Sequence, residues 1–228
     1  MTDKLQENRK GTTMNFFIVV AHPEPKSFNH AMVTESRRVL EAAGHKVKVS
    51  DLNAMQWQPV SDRRNFTTVG DAEYYKQQAE ELFAVEHDGF DPAIEAEMQK
   101  LFWCDVLIFQ FPLWWFGMPA IMKGWVERVF AMGRVYGHGK WYETGSCKGK
   151  QAMLSLTTGS PANLFGGGGV HPPMEAILLP IQHGIFKFNG FTVLEPNVVY
   201  QAAHLPEDER KLAVEKFGQR VVAIGKGR

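Results

Sequence analysis

The chain has 228 residues and a mass of 25.8 kDa, room for one large domain or two small ones. Its 25 basic and 25 acidic residues give a formal net charge of zero. That argues against nucleic-acid binding through bulk positive charge, and against the acidic surface of a small electron carrier. Two cysteines, Cys104 and Cys147, stand in no CxxC or Cys/His grouping, which speaks against a disulfide scaffold or a zinc module.

In chain order, Met1 to Thr13 is polar and of mixed charge and lacks the apolar core of a secretory signal. It reads as a disordered leader, with Met14 as an alternative start. Asn15 to Val20 is continuously apolar, the pattern of a fully buried strand. Asn29 to Ala43 follows as an amphipathic helix stopped by Gly44, and Lys46 to Asp51 as an alternating strand. Leu52 to Asp91 is long and polar and is expected to wrap the surface, with one helix over Ala72 to Phe83.

Regularity then resumes. A helix is predicted over Pro92 to Trp103, a buried strand over Val106 to Gln110 and a helix over Pro119 to Phe130, with Pro119 in its first turn. A fourth strand covers Gln151 to Thr157. Met174 to Phe188 reads as an apolar helix despite Pro180, and Thr192 to Val199 as a fifth strand. Pro206 to Ile224 closes the series, with Glu207, Asp208 and Glu209 in the turn where the helix dipole favours acids. Strands alternating with helices predict an α/β fold: a doubly wound, five-stranded parallel sheet with helices on both faces, in one domain over residues 14–228. The most apolar stretch, Val106 to Met122, is broken by Gln110, Pro112, Gly117 and Pro119, whereas a membrane span needs ~20 unbroken apolar residues. No membrane insertion is expected, and the cytoplasm is the expected location.

Ligands of such folds lie beyond the carboxyl ends of the strands. After the first strand, His22, Ser27 and Asn29 join the free N–H groups of a helix start, a set that suits a phosphate and equally an ordinary capped turn. After the third come Pro112, Leu113, Trp114, Trp115 and Phe116, framed by Gly117 and Pro119. Aromatic residues make up 12% of the chain, and nine of them fall between Phe102 and Phe130. Rings and rigid backbone donors suit a large heteroaromatic ligand, although core packing or an oligomer interface would use the same residues. After the fourth strand come Thr157, Thr158, Gly159 and Ser160, then Phe165, a four-glycine run read as a flexible loop, and His171. No GxGxxG, GxxxxGK[ST], GxSxG or HExxH occurs.

The ordered set AHPEPKSFNHAM, DLNAM, FQFPLWWFGMPAIMKGWVERVF, TTG and LPIQHGI resembles the NAD(P)H:quinone oxidoreductase (DT-diaphorase) family of flavodoxin-like flavoproteins, from about Phe17 to Val214. The resemblance implies a bound flavin, FAD rather than FMN, with NAD(P)H as co-substrate, a quinone or similar aromatic acceptor, ping-pong hydride transfer, and a homodimer. By position it implies His22, Ser27, Phe28 and Asn29, with Gln78, near the pyrophosphate and ribityl region. Pro112, Leu113, Trp114, Trp115 and Phe116 would wrap the isoalloxazine, with backbone N–H groups at its N5 and O4 edge. Thr157, Thr158, Gly159 and Ser160 would line its pyrimidine end, and Arg210 would lie by the adenine.

His171 matches the histidine of a family Tyr/His pair, and Phe165 stands where the tyrosine is expected. His171 is therefore expected to act alone, or with Tyr136 or His138 as a substitute hydroxyl or imidazole. The catalytic positions implied are His171, Gly159 and Tyr136; the substrate positions are Tyr136, His138 and His171. His183 coincides with a metal-binding histidine of some members, but Lys187 replaces the second ligand, so no metal is expected. A second reading, suggested by the YGHG stretch from Tyr136 to Gly139, is a flavin-bearing ancillary subunit of a potassium-efflux system.

Overall fold

The computed structural model describes residues 13–226, so the leader expected over 1–13 lies, except for Thr13, outside the described residues. The first strand, β1 (Asn15–Val20), is buried from Phe16 onward. Ser27 caps α1 (Phe28–Ala42) by accepting the His30 N–H, and Gly44 turns the chain with φ 86°. The chain continues through β2 (Lys46–Asp51), α2 (Gln77–Glu86), α3 (Pro92–Trp103), β3 (Val106–Pro112) and α4 (Ala120–Val129). It ends with β4 (Gln151–Thr157), α5 (Met174–Ile181), β5 (Thr192–Val193), β6 (Asn197–Val199) and α6 (Glu207–Lys226).

All pairings are parallel, in the order β2-β1-β3-β4, with β5 and β6 both against β4. Because β2 lies on one side of β1 and β3 on the other, the chain reverses its winding at β1 and β3. The cleft of such a sheet opens beyond the carboxyl ends of those two strands. Along β1, Phe17 and Val19 enter one core with α2, α3, α4 and α5, while Phe16, Ile18 and Val20 enter a second core with α1 and α6. Period-two alternation thus serves two apolar faces, which is why the strand reads as continuously hydrophobic.

Three elements depart from the sequence expectation, each for a local reason. The α2 helix starts at Gln77 and not at Ala72, because Asp71 Oδ1 accepts the N–H groups of Glu73 and Tyr74 at 2.9 and 3.0 Å and holds a turn instead. The fifth strand is split into β5 and β6 around Pro196, which has no N–H to donate to a ladder. Pro180 likewise removes one helical hydrogen bond, and the expected helix to Phe188 widens after Ile181 into a π-helical stretch, Gln182–Lys187.

One ion pair is built into the core. Glu97 is fully buried and accepts from Trp125 Nε1 at 2.8 Å, from Ser50 Oγ at 3.1 Å and from Lys100 Nζ. Cys104 and Cys147 are fully buried and unpaired, and burial pushes both thiols up to about 12. No described helix is long and apolar enough to cross a membrane.

Candidate active site at the carboxyl ends of the strands

The loop after β1 is fastened by its own polar side chains. His22 Nδ1 accepts the Glu24 N–H at 3.1 Å, and burial lowers the pKa of the imidazole. His30 bridges Ser27 Oγ at 3.0 Å and Asp51 Oδ2 at 2.9 Å. The N–H groups of Phe28 and Asn29, at the start of α1, have no acceptor among the described residues, so they remain open to an anion. The Asn29 side chain does not face outward. It is buried, accepts from Gln110 Nε2 at 2.8 Å and donates to Thr157 Oγ1 at 3.2 Å.

The loop after β3 is a tight turn. Trp114 and Gly117 exchange two backbone hydrogen bonds, 3.0 and 2.9 Å, and the central residues Trp115 and Phe116 have φ 49° and 57°. Bulky aromatic residues with positive φ are uncommon and strained. The strain coincides with exposure: Trp115 is 99% exposed and Trp114 and Phe116 nearly half exposed. Pro112 is buried at the end of β3, and Leu113 N–H donates to Thr157 O at 2.8 Å. Of the four N–H groups expected to reach a ring, those of Leu113 and Trp114 are therefore engaged internally, and those of Trp115 and Phe116 are free.

After β4, Thr157 and Thr158 are buried, and Thr158 Oγ1 donates to the Ser160 carbonyl at 2.7 Å. A Cβ added to Gly159 would meet nothing within 4 Å, so open space lies beside it. The glycine run, expected as a flexible loop, forms a hydrogen-bonded turn. Gly166 and Gly168 have φ 79° and 103°, Gly169 N–H bonds Gly166 O at 2.8 Å, and a Cβ on Gly169 would fall 2.3 Å from the Leu164 carbonyl. This turn brings His171 back beside Phe165, with ring centroids 5.0 Å apart, and against Phe116 at 5.3 Å.

Tyr136 is placed elsewhere. Its hydroxyl accepts from Gln78 Nε2 at 3.2 Å, its ring lies 6.2 Å from Phe188, and burial raises the phenol pKa. Gln78 thus pairs with Tyr136 and not with the β1–α1 loop, and neither Tyr136 nor the exposed His138 touches His171 within the chain. Arg210 lies on α6, across a cleft of about 1140 Å³ between α1 and α6 that starts at Lys26, Ser27 and Phe28 and also takes in Lys211 and Val214. Sequence reasoning passed over Lys26, Lys211 and Gln110; the signal for Gln110 was a lone amide closing an otherwise apolar strand.

A family model described as the flavodoxin-like fold matches residues 14–222. NAD(P)H dehydrogenase [quinone] 1 of Rattus norvegicus is 41% identical over 208 residues, which cover 91% of this chain and 76% of that protein. Ribosyldihydronicotinamide dehydrogenase [quinone] of Homo sapiens is 38% identical over 210 residues, covering 92% and 91%. The chain belongs to the flavodoxin-like quinone oxidoreductase family. A solved structure from Klebsiella pneumoniae, described as a candidate quinone reductase, superposes with a TM-score of 0.87 at 37% identity, covering 93% of this chain and 85% of the other. The residues present suit the flavin such a family implies: open space at Gly159, exposed rings around two free N–H groups, and an anion-ready helix start leading into the α1–α6 cleft.

Proposed function

We propose that the chain is a flavin-dependent NAD(P)H:quinone oxidoreductase that holds FAD, works as a homodimer, and admits nicotinamide and quinone in turn to one slot. The observation that carries this reading is the turn at Trp114–Gly117, which exposes two strained aromatic residues and leaves their N–H groups unpaired. Strained, exposed rings beside unpaired N–H groups suit a flat, polar-edged ligand. The free N–H groups of Trp115 and Phe116 would fix one edge of the flavin ring. Thr157, Thr158 and Gly159 would border its pyrimidine end, and Phe28 and Asn29 would bind its phosphates through their N–H groups. Lys26 and Arg210, which line the α1–α6 cleft beside Glu35, Glu207 and Glu215, would hold a second phosphate with a nucleoside beyond it, hence FAD over FMN.

When bound, the flavin supplies the two-electron chemistry between nicotinamide and quinone. The protein would exclude water with Trp114, Trp115 and Phe116, and His171 would offer an N–H to the acceptor's oxygen. Tyr136 and His138 do not touch His171 within one subunit, and a second copy of the chain is proposed to bring them to the slot.

The test is an absorbance spectrum of the purified protein, followed by anaerobic NADH or NADPH and then a quinone. Flavin bands that bleach on the first addition and return on the second are expected, with FAD recovered from the denatured protein. A protein that binds neither FAD nor FMN overturns the reading. Recovered FMN overturns the nucleoside site alone.

A further inference from the structure

His171 is held so that few roles remain open to its imidazole. Its N–H donates to Leu164 O at 2.9 Å and its carbonyl accepts from Gly166 N–H at 3.1 Å, so the backbone is fixed on both sides. Its ring meets those of Phe165 and Phe116, and neither carries a polar atom. Tyr200 packs on the far partner, Phe165, at 5.5 Å and makes no bond to the imidazole. The polar side chain in reach is Ser160, whose Oγ lies 3.4 Å from Nε2. Nδ1 has no partner among the described residues. Ser160 is aimed from behind, because Thr158 Oγ1 holds its carbonyl at 2.7 Å.

We infer that Ser160 is a positioning residue for His171: its hydroxyl donates to Nε2, which places the ring proton on Nδ1 and presents an N–H to the acceptor's oxygen. The inference rests on the proposed function and deepens it. In a neutral imidazole one nitrogen donates and the other accepts, and the bond at one nitrogen decides the role of the other. With phenyl rings on its other sides, His171 has no second side chain among the described residues of its own subunit to set its tautomer. A serine suits the task in both protonation states, since its hydroxyl rotates to donate to a neutral ring or to accept from an imidazolium. A quinone oxygen gains negative charge as it is reduced, and a pre-aimed N–H stabilises that charge while no bond is made or broken at His171. A separation of 3.4 Å is long, as such bonds are before substrate excludes water.

The loop geometry supports the same reading. Phe116, which braces the imidazole, sits in the strained turn with φ 57°. The turn that exposes two N–H groups and the serine that sets the tautomer thus hold one ring from two directions.

The test uses ¹⁵N-histidine NMR and rapid kinetics on wild type, Ser160→Ala, Ser160→Thr, His171→Leu and the Ser160→Ala/His171→Leu double variant. In wild type the His171 signals are expected to report a protonated Nδ1 and an Nε2 that accepts a hydrogen bond. Ser160→Ala should lose that tautomer bias and Ser160→Thr should restore it. With 2-methyl-1,4-naphthoquinone as acceptor, Ser160→Ala should slow reoxidation about tenfold at unchanged KM, a larger loss than in reduction by the nicotinamide. In the His171→Leu background the same substitution should add nothing. Equal tautomer signals in wild type and Ser160→Ala overturn the inference, and so does a rate loss that persists without His171. If the wild-type protein fails to reduce the quinone, the proposed function falls, while the tautomer measurement still decides the role of Ser160.

Discussion

Asn29 Oδ1 accepts from Gln110 Nε2 at 2.8 Å, while the Asn29 amide reaches Thr157 Oγ1 at 3.2 Å. One buried side chain thereby ties the start of α1 to the ends of β3 and β4, the three places from which the cleft is built. Gln110 Oε1 has no partner of its own. Asn29→Ala would therefore leave both ends of the Gln110 amide unsatisfied. The expected cost is about 2 kcal/mol, read as a lower urea midpoint at unchanged m-value, together with weaker flavin retention.

Glu97, fully buried, accepts from Trp125, Ser50 and Lys100. Removing a partner of a buried pair costs more than the pair itself contributes, because a naked charge stays behind. Glu97→Ala takes the acceptor from buried Trp125 Nε1 and leaves Lys100 with Ser50 Oγ alone, and is expected to cost about 3–5 kcal/mol, a Tm loss of roughly 10 °C for a chain of this size. Trp125→Phe leaves the carboxylate paired with Lys100 and should cost about 1–3 kcal/mol for the orphaned oxygen. Thermal unfolding of the two variants separates these outcomes.

His45 links the amino-terminal strand to the last helix. Its Nδ1 accepts the Met14 N–H at 3.2 Å, and its ring lies so close to Gly225 that a Cβ there would fall 2.3 Å from Nε2. Burial lowers its pKa from the usual 6.5. The unfolded chain then binds the proton first as pH falls, so this contribution to stability is complete above pH 6.5 and is lost as pH drops through the folded value. Burial shifts His22 in the same direction. Urea unfolding between about pH 5 and pH 7.5 should show stability rising with pH, with a smaller slope in His45→Gln.

Gly159 faces open space, so a large side chain there has room in the fold but competes with a ligand. Gly159→Trp is expected to change folding stability by no more than about 0.5 kcal/mol and to abolish flavin binding. The check is the flavin-to-protein absorbance ratio beside a thermal melt; a variant that melts normally and keeps its flavin would remove Gly159 from the site.

Much of this architecture is legible in the sequence. Apolar runs bounded by turn residues define β1, β2 and β4 at the limits the structure shows, and Pro92 marks the start of α3. The loops after β1, β3 and β4 are visible as sites because they place polar and aromatic residues just past buried strands. What is not legible depends on competition or register. Whether Asp71 starts a helix or closes a turn depends on which N–H groups its carboxylate captures. That Asn29 turns inward follows from the facing positions of Gln110 and Thr157, which adjacent strands alone determine. The separation of Tyr136 from His171 is a fact of chain path, and Ser160 gains its partner only because the glycine turn folds His171 back.

The two buried thiols bear on chemical self-protection. Quinones are electrophiles, and a protein that admits them exposes its own nucleophiles to alkylation. A thiol with a pKa near 12 is thiolate at neutral pH in only about one molecule in 10⁵, and its burial bars approach as well. Cys104 and Cys147 should therefore stay unmodified through many exposures to an arylating naphthoquinone, with adducts by mass spectrometry appearing only at the rate of global unfolding. The proposed slot would offer the acceptor rings, hydroxyls and an imidazole, while both sulfurs are fully buried.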